Sequence, residues 1–265
     1  MEQSMAILVE FDGTRYAGWQ FQKNALSLQQ VLQDKLTKIC KHEISLTGCS
    51  RTDAGVHALG HVSNFTTRCA IPADRLAIAM NSLLPGDVSV LGAVNVDRTF
   101  NSRFHARRKR YSYRIWNNRT PSAIRSRFTC HIPGELDIEA MREGADQLVG
   151  EQDFRSFMAA GSSAKTTVRR LFSAKVWVNP EDRREIRFVV EGTGFLYNMM
   201  RIISGTLVYI GLGKIEPERM RDIIDARDRK MAGKTLPANG LFLEKVWFDE
   251  PLFFDETILD LGGLS

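Results

Sequence analysis

Arg51 and Asp53 stand two residues apart in the run GCSRTDAGVHA at positions 48–58. A guanidinium stays charged near neutral pH and offers a planar fork of donors. A carboxylate beside it is held ionised and in one orientation, which suits a nucleophile or a general base. The same pair could equally be an ion pair that only shapes a loop. A second chemistry competes for these residues. Asp53, His57 and His61 are spaced four apart, as metal ligands on one helical face would be. Gly55 and Gly60 argue against a helix there. Without a metal, each histidine reads as a loop or strand residue with a satisfied hydrogen bond.

Three further segments contribute. Positions 11–20, FDGTRYAGWQ, read alone as a turn with aromatics. In RRKRYSY at 107–113, the cations Arg107, Arg108, Lys109 and Arg110 adjoin Tyr111 and Tyr113. That mixture suits phosphate contact with base stacking, or an exposed strand whose tyrosines fill a core. In GTGFLYNMMR at 192–201 the apolar residues read as core. Arg201 does not, because a charge in an apolar helix needs an acid or a ligand phosphate as partner.

These residues need elements to hold them. Residues 5–11 are apolar and β-prone and predict a buried strand, ended by a turn at Asp12 and Gly13. Ser27 with Gln30 has the form of a capping box, and Leu28, Val31, Leu32, Leu36 and Ile39 then recur at helical spacing. A strand over 44–49, a loop over 50–60 and a strand over 61–67 follow. Pro72 suits the first turn of a helix running to about Leu84, before a break at Pro85 and a strand over 88–96. In the second half, Tyr111, Tyr113 and Ile115 alternate with polar residues. Asp137 caps a helix with Ile138, Met141, Ala145 and Leu148 on one face, stopped by Gly150. Residues 168–178 and 186–190 alternate as strands joined by a turn over 179–184. Helices over 196–210 and from Pro217, then a strand over 241–248, close the pattern. The mixture predicts an α+β fold with antiparallel sheets. It divides into an N-terminal domain over 1–102, a C-terminal domain over 103–248 and an acidic tail over 249–265.

Of the 265 residues, 43% are hydrophobic and 25% charged, an ordinary globular composition that can build its core without a staple. Cys40, Cys49, Cys69 and Cys130 form no Cys-x-x-Cys pair and no zinc-ligand spacing, which predicts free thiols in a reducing, cytoplasmic setting. The N-terminus lacks the form of a signal peptide. The most apolar stretch, 194–212, is interrupted by Asn198, Arg201 and glycines, so it reads as a buried helix rather than a membrane span. Net charge is +5, unevenly spread: residues 98–127 hold nine arginines, one lysine and no acid, whereas the tail carries −5. Such a surface attracts a polyphosphate, nucleic acid first among them, or is simply solvated.

Together the quoted segments resemble the bacterial tRNA pseudouridine synthase A family over residues 5–248. The run SRTDAGVH at 50–57 is similar to its catalytic motif. Positions 11–20 resemble its N-terminal signature, with Phe11 where tyrosine is usual, and positions 194–201 its third motif. The family also has a Phe-His-Ala-Arg motif followed by seven residues and a tyrosine. The literal string ending at Arg107 lies too close to Tyr111, whereas Phe100 to Arg103 has the proper spacing, so Arg103 is matched to the family arginine.

The resemblance implies two α+β domains with sheets side by side and a basic cleft between, working as a homodimer. It implies isomerisation of uridine to pseudouridine at positions 38, 39 and 40 of the tRNA anticodon stem-loop, without cofactor or metal. Asp53 is then the nucleophile and Arg51 orients it. Tyr111 stacks on the detached base, and Arg201 pairs with Asp53 or a phosphate. Arg103, Arg107, Arg108, Lys109, Arg110 and His57 contact the RNA. Two other classes stay open on residues alone: a non-catalytic RNA-binding module, and a metal-dependent hydrolase using Asp53, His57 and His61. Against the first, an acid in a basic surface repels phosphate unless it does chemistry.

Overall fold

A computed structural model describes residues 2–162 and 164–253. The described residues cluster into two compact units, 2–107 with 243–253, and Arg108–Phe242. The seams read from sequence, at 102/103 and 248/249, differ from these. Asp255, Glu256 and Asp260 of the acidic tail lie outside the described residues.

The first unit is built on β1 (Gln3–Phe11), whose Met5, Ile7 and Val9 are fully buried. α1 (Leu28–Cys40) starts at Ser27, whose hydroxyl accepts from the Gln30 amide at 3.3 Å. Its face of Leu28, Val31, Leu32 and Leu36 turns inward, as the helical spacing requires. Only β2 (Thr47–Gly48) forms where a strand over 44–49 was expected. β3 (His57–Thr67) starts four residues earlier than expected, which cuts the loop to 50–56. The added residues pair with the end of β1, across a bulge. Val9 faces His61 while Phe11 faces Ala58, so β3 holds one residue more than β1 across that step and keeps pairing toward the loop. α2 (Ala73–Asn81) buries Leu76 and Met80. Both ends of the Asn81 amide clasp Val90, at 2.9 and 2.8 Å, and tie α2 to β4 (Val88–Val96). The sheet runs β4-β1-β3, and β1 is antiparallel to both neighbours.

The second unit begins with β5 (Arg108–Asn117) and β6 (Cys130–Ile132), paired in parallel. α3 (Ile138–Asp146) is capped by Asp137, which accepts from the Ala140 amide at 3.0 Å. β7 (Gly150–Asp153), β8 (Val168–Val178) and β9 (Glu185–Gly192) follow. The sheet order is β5-β9-β8-β7 with antiparallel pairing throughout. α4 (Met199–Gly211) is buried on almost every side, and α5 (Arg219–Ala226) turns Met220, Ile223 and Ile224 inward. β10 (Leu241–Trp247) carries the chain back into the first unit. The α+β class with mainly antiparallel sheets is therefore what the chain adopts. Among the described residues, no helix is long and apolar enough to cross a membrane.

Candidate active site

In the first unit, the loop holding Asp53 is built by two distant stretches of sequence. Residues 49–56 connect β2 to β3, and the segment at 12–19 crosses directly over them. The Trp19 amide donates to the Thr52 carbonyl at 3.0 Å, and the Gly55 amide to the Tyr16 carbonyl at 3.3 Å. Gly18 makes the crossing possible. Its φ is +93°, and a Cβ there would lie 2.5 Å from the Thr52 carbonyl oxygen. Inside the loop the Val56 amide closes on the Asp53 carbonyl at 3.2 Å, around Gly55 at φ +78°. Asp53 is half-buried and Arg51 exposed.

Side chains around the loop anchor it. Tyr16 is buried and donates to Asp87 at 2.7 Å. Burial, then that hydrogen bond, push its hydroxyl up to about 12, so it remains a donor at neutral pH. His61 bonds the Ser50 carbonyl through Nε2 at 2.9 Å and stacks on Trp19 with ring centroids 3.7 Å apart. His57 is buried inside the unit. Its Nδ1 lies 3.1 Å from both the Gly13 amide and the Asp12 carboxylate, and it either accepts from the first or donates to the second. Both histidines thus lie on a strand rather than a helix. No group of three or more His, Cys, Asp or Glu is arranged to hold a metal ion among the described residues.

In the second unit, the tyrosine strand meets the third motif. Tyr111 is buried on β5, and its ring stands edge-on to Phe195 with centroids 5.0 Å apart. Tyr113 is fully buried and donates to the Pro237 carbonyl at 2.7 Å, and burial pushes its hydroxyl well up. Arg201 donates to the Leu236 carbonyl and to Asn198 Oδ1, each at 2.7 Å, while the Leu236 amide returns to the Arg201 carbonyl at 3.2 Å. The sequence left its partner open between an acid and a phosphate; these contacts tie Arg201 to Leu236 and Asn198.

The basic segment is more neutralised than its sequence shows. Arg107 makes a forked pair with Asp249, with contacts down to 2.8 Å. Arg108 and Arg110 share Glu191 of β9, at 2.9 and 2.7 Å, because Arg110 and Glu191 are cross-strand partners. Lys109 sits opposite Gly192. Arg103 is exposed on the turn before β5. Sequence reasoning missed Asp249 and Glu191 as counter-charges, since both lie far along the chain.

A family model described as tRNA pseudouridine synthase matches residues 7–105 and 145–249. The chain is 42% identical over 246 residues to the tRNA pseudouridine synthase A of Ruminiclostridium cellulolyticum, covering 93% of this chain and 100% of that protein. It is 45% identical over 244 residues to the protein of that name from a Thermoanaerobacter species, covering 92% of this chain and 99% of the other. Among solved structures, it is similar to a chain of a Cbf5-Nop10-Gar1 complex at 12% identity and a TM-score of 0.38, over 91% of its own length and 59% of that longer chain. With its N-terminal signature and Asp53 loop folded onto each other, and with relatives matching over nearly their whole length, this chain belongs to the tRNA pseudouridine synthase family.

Proposed function

We propose that this protein isomerises uridine to pseudouridine at positions 38, 39 and 40 of the tRNA anticodon stem-loop, with Asp53 as nucleophile. The observation that carries the reading is the Asp53 loop, held by the backbone of residues 16–19 and lying within the region that matches the family. The reaction breaks the bond from ribose C1′ to N1 of uracil and forms one from C1′ to C5. The base loses a proton from C5 and gains one on N1, so nothing is oxidised and no atom is added. A nucleophile and proton transfer are enough, and no cofactor or metal is required. The target nucleotide leaves its stack to reach the enzyme. Arg51 orients Asp53 and supports the flipped nucleotide. Tyr111 stacks on the base and serves its proton transfer, and Arg201 pairs with Asp53 or a phosphate; the RNA contact expected of His57 is dropped, because its ring is buried against Gly13 and Asp12. The protein acts as a homodimer in the cytoplasm.

The test is incubation with unmodified tRNA, refolded and then held in EDTA, followed by pseudouridine mapping. Conversion confined to positions 38–40 is expected. Conversion elsewhere or none overturns the assignment, and activity that returns only with zinc or manganese revives the metal reading of Asp53, His57 and His61.

Arg103, Arg107, Arg108, Lys109 and Arg110 are proposed to hold the RNA backbone. Replacing Arg107, Arg108 and Lys109 with alanine should weaken tRNA binding and flatten its dependence on salt. Each lost phosphate contact should lower the log–log slope by about 0.7–0.9. An unchanged slope would leave Arg107 and Arg108 to their pairs with Asp249 and Glu191.

A further inference from the structure

Phe104 is 69% exposed, although it belongs to a turn held with unusual firmness. Asn101 Oδ1 accepts from the amides of Arg103 and Phe104, at 3.0 and 3.2 Å, and the His105 amide donates to the Asn101 carbonyl at 2.9 Å. Ser102 is fully buried beneath them. Its amide donates to Asn64 of β3 and its hydroxyl to the Thr47 carbonyl of β2, each at 2.8 Å. Asn64 also donates to the Phe100 carbonyl at 3.1 Å, and the Phe100 ring packs on Phe248 with centroids 5.3 Å apart. The turn thus sends Phe100 inward and holds Phe104 out.

The Arg103 guanidinium lies over the Phe104 ring, 5.4 Å from its centroid. Among the described residues, Arg103 makes no ion pair, unlike Arg107, Arg108 and Arg110. A rigid, exposed ring backed by a cation is what an unpaired nucleobase needs: one face on which to stack, and a charge for its phosphate. An apolar protein partner would not call for the cation.

We propose that Phe104 is a stacking platform for an unpaired base of the RNA, with Arg103 backing the ring and taking the adjoining phosphate. This rests on the RNA-directed reading above and adds a residue to it. The turn is fixed before RNA arrives, so little ordering cost falls on binding.

Affinity for an anticodon stem-loop RNA is to be measured for Phe104→Ala, Phe104→Leu and Phe104→Trp. Alanine and leucine should weaken binding by about 5- to 150-fold, the range for losing one stacked base, and tryptophan should restore it. Thermal unfolding should not change, because the side chain is exposed. Wild-type affinity in the leucine variant would overturn stacking in favour of mere apolar volume. Wild-type affinity in the alanine variant overturns the platform outright, and a shifted oligomeric state alongside it would make the ring a contact between copies. Binding is read apart from turnover. A wild type that makes no pseudouridine yet shows this order of affinities would lose the enzymatic reading and keep the platform. An active enzyme indifferent to Phe104 would do the reverse.

Discussion

Asp53→Asn should abolish pseudouridine formation while tRNA binding stays at the wild-type level, or tightens at low salt. The exchange keeps the size of the side chain and removes its charge. The backbone hydrogen bonds that shape the loop, from Trp19 to the Thr52 carbonyl and from Val56 to the Asp53 carbonyl, survive it. Thermal stability should therefore stay close to wild type, and any loss of turnover belongs to the chemistry. Losing a nucleophile typically costs on the order of 10⁴–10⁶ in kcat. Removing a negative charge beside a polyanion weakens repulsion, an effect that salt screens away. Single-turnover kinetics on tRNA transcripts, paired with direct binding, separate the two. Residual turnover within tenfold of wild type would sink the assignment.

Tyr111→Phe should bind tRNA normally and lose most of its turnover, by about 10²–10⁴ if the hydroxyl acts in proton transfer. Phenylalanine keeps the ring and hence the edge-on contact with Phe195. Tyr111→Ala removes both. It should also bind RNA more weakly, by about 1–3 kcal/mol for a lost stacking partner. Because Tyr111 is buried, alanine also leaves a cavity, and removing a large aromatic from a core costs about 3–5 kcal/mol of stability. Unfolding curves must accompany the alanine data, and the phenylalanine variant is the cleaner probe. A fully active phenylalanine variant would make the ring a platform only. If both variants behaved as wild type, the register that aligns Phe100 to Arg103 with Tyr111 would be wrong.

What the sequence made legible follows the physics of each element. α1 and α3 carry long helical periodicity and a capping side chain apiece, Ser27 and Asp137, so their starts could be read to the residue. β6 and β7, with three and four residues, are too short for alternation to register and exist through pairing with β5 and β8. The early start of β3 depends on its pairing with the end of β1, a tertiary fact. The motif around Asp53 was visible in the local sequence. That Gly18 must pass over Thr52 was not, because the two lie 34 positions apart. Counter-charges obey the same rule: Arg107 and Asp249 lie 142 positions apart, so the basic run looked barer than it is. Phe104 escaped notice because sequence cannot tell which of two nearby phenylalanines, it or Phe100, is turned inward.

The two-part make-up of the first unit has a bearing on biosynthesis. Residues 2–107 leave the ribosome before the second unit, yet their own unit also needs residues 243–253. Phe100 must wait for Phe248, and the apolar hollow beside Leu8 and Val62 must wait for Trp247 and Pro251. The second unit is continuous and can close as soon as Phe242 is clear of the exit tunnel. Vectorial synthesis favours folding from the N-terminus, and this chain order opposes it. The nascent protein carries an unfinished, partly apolar N-terminal half through most of translation. The unit that holds Asp53 is begun first and finished last.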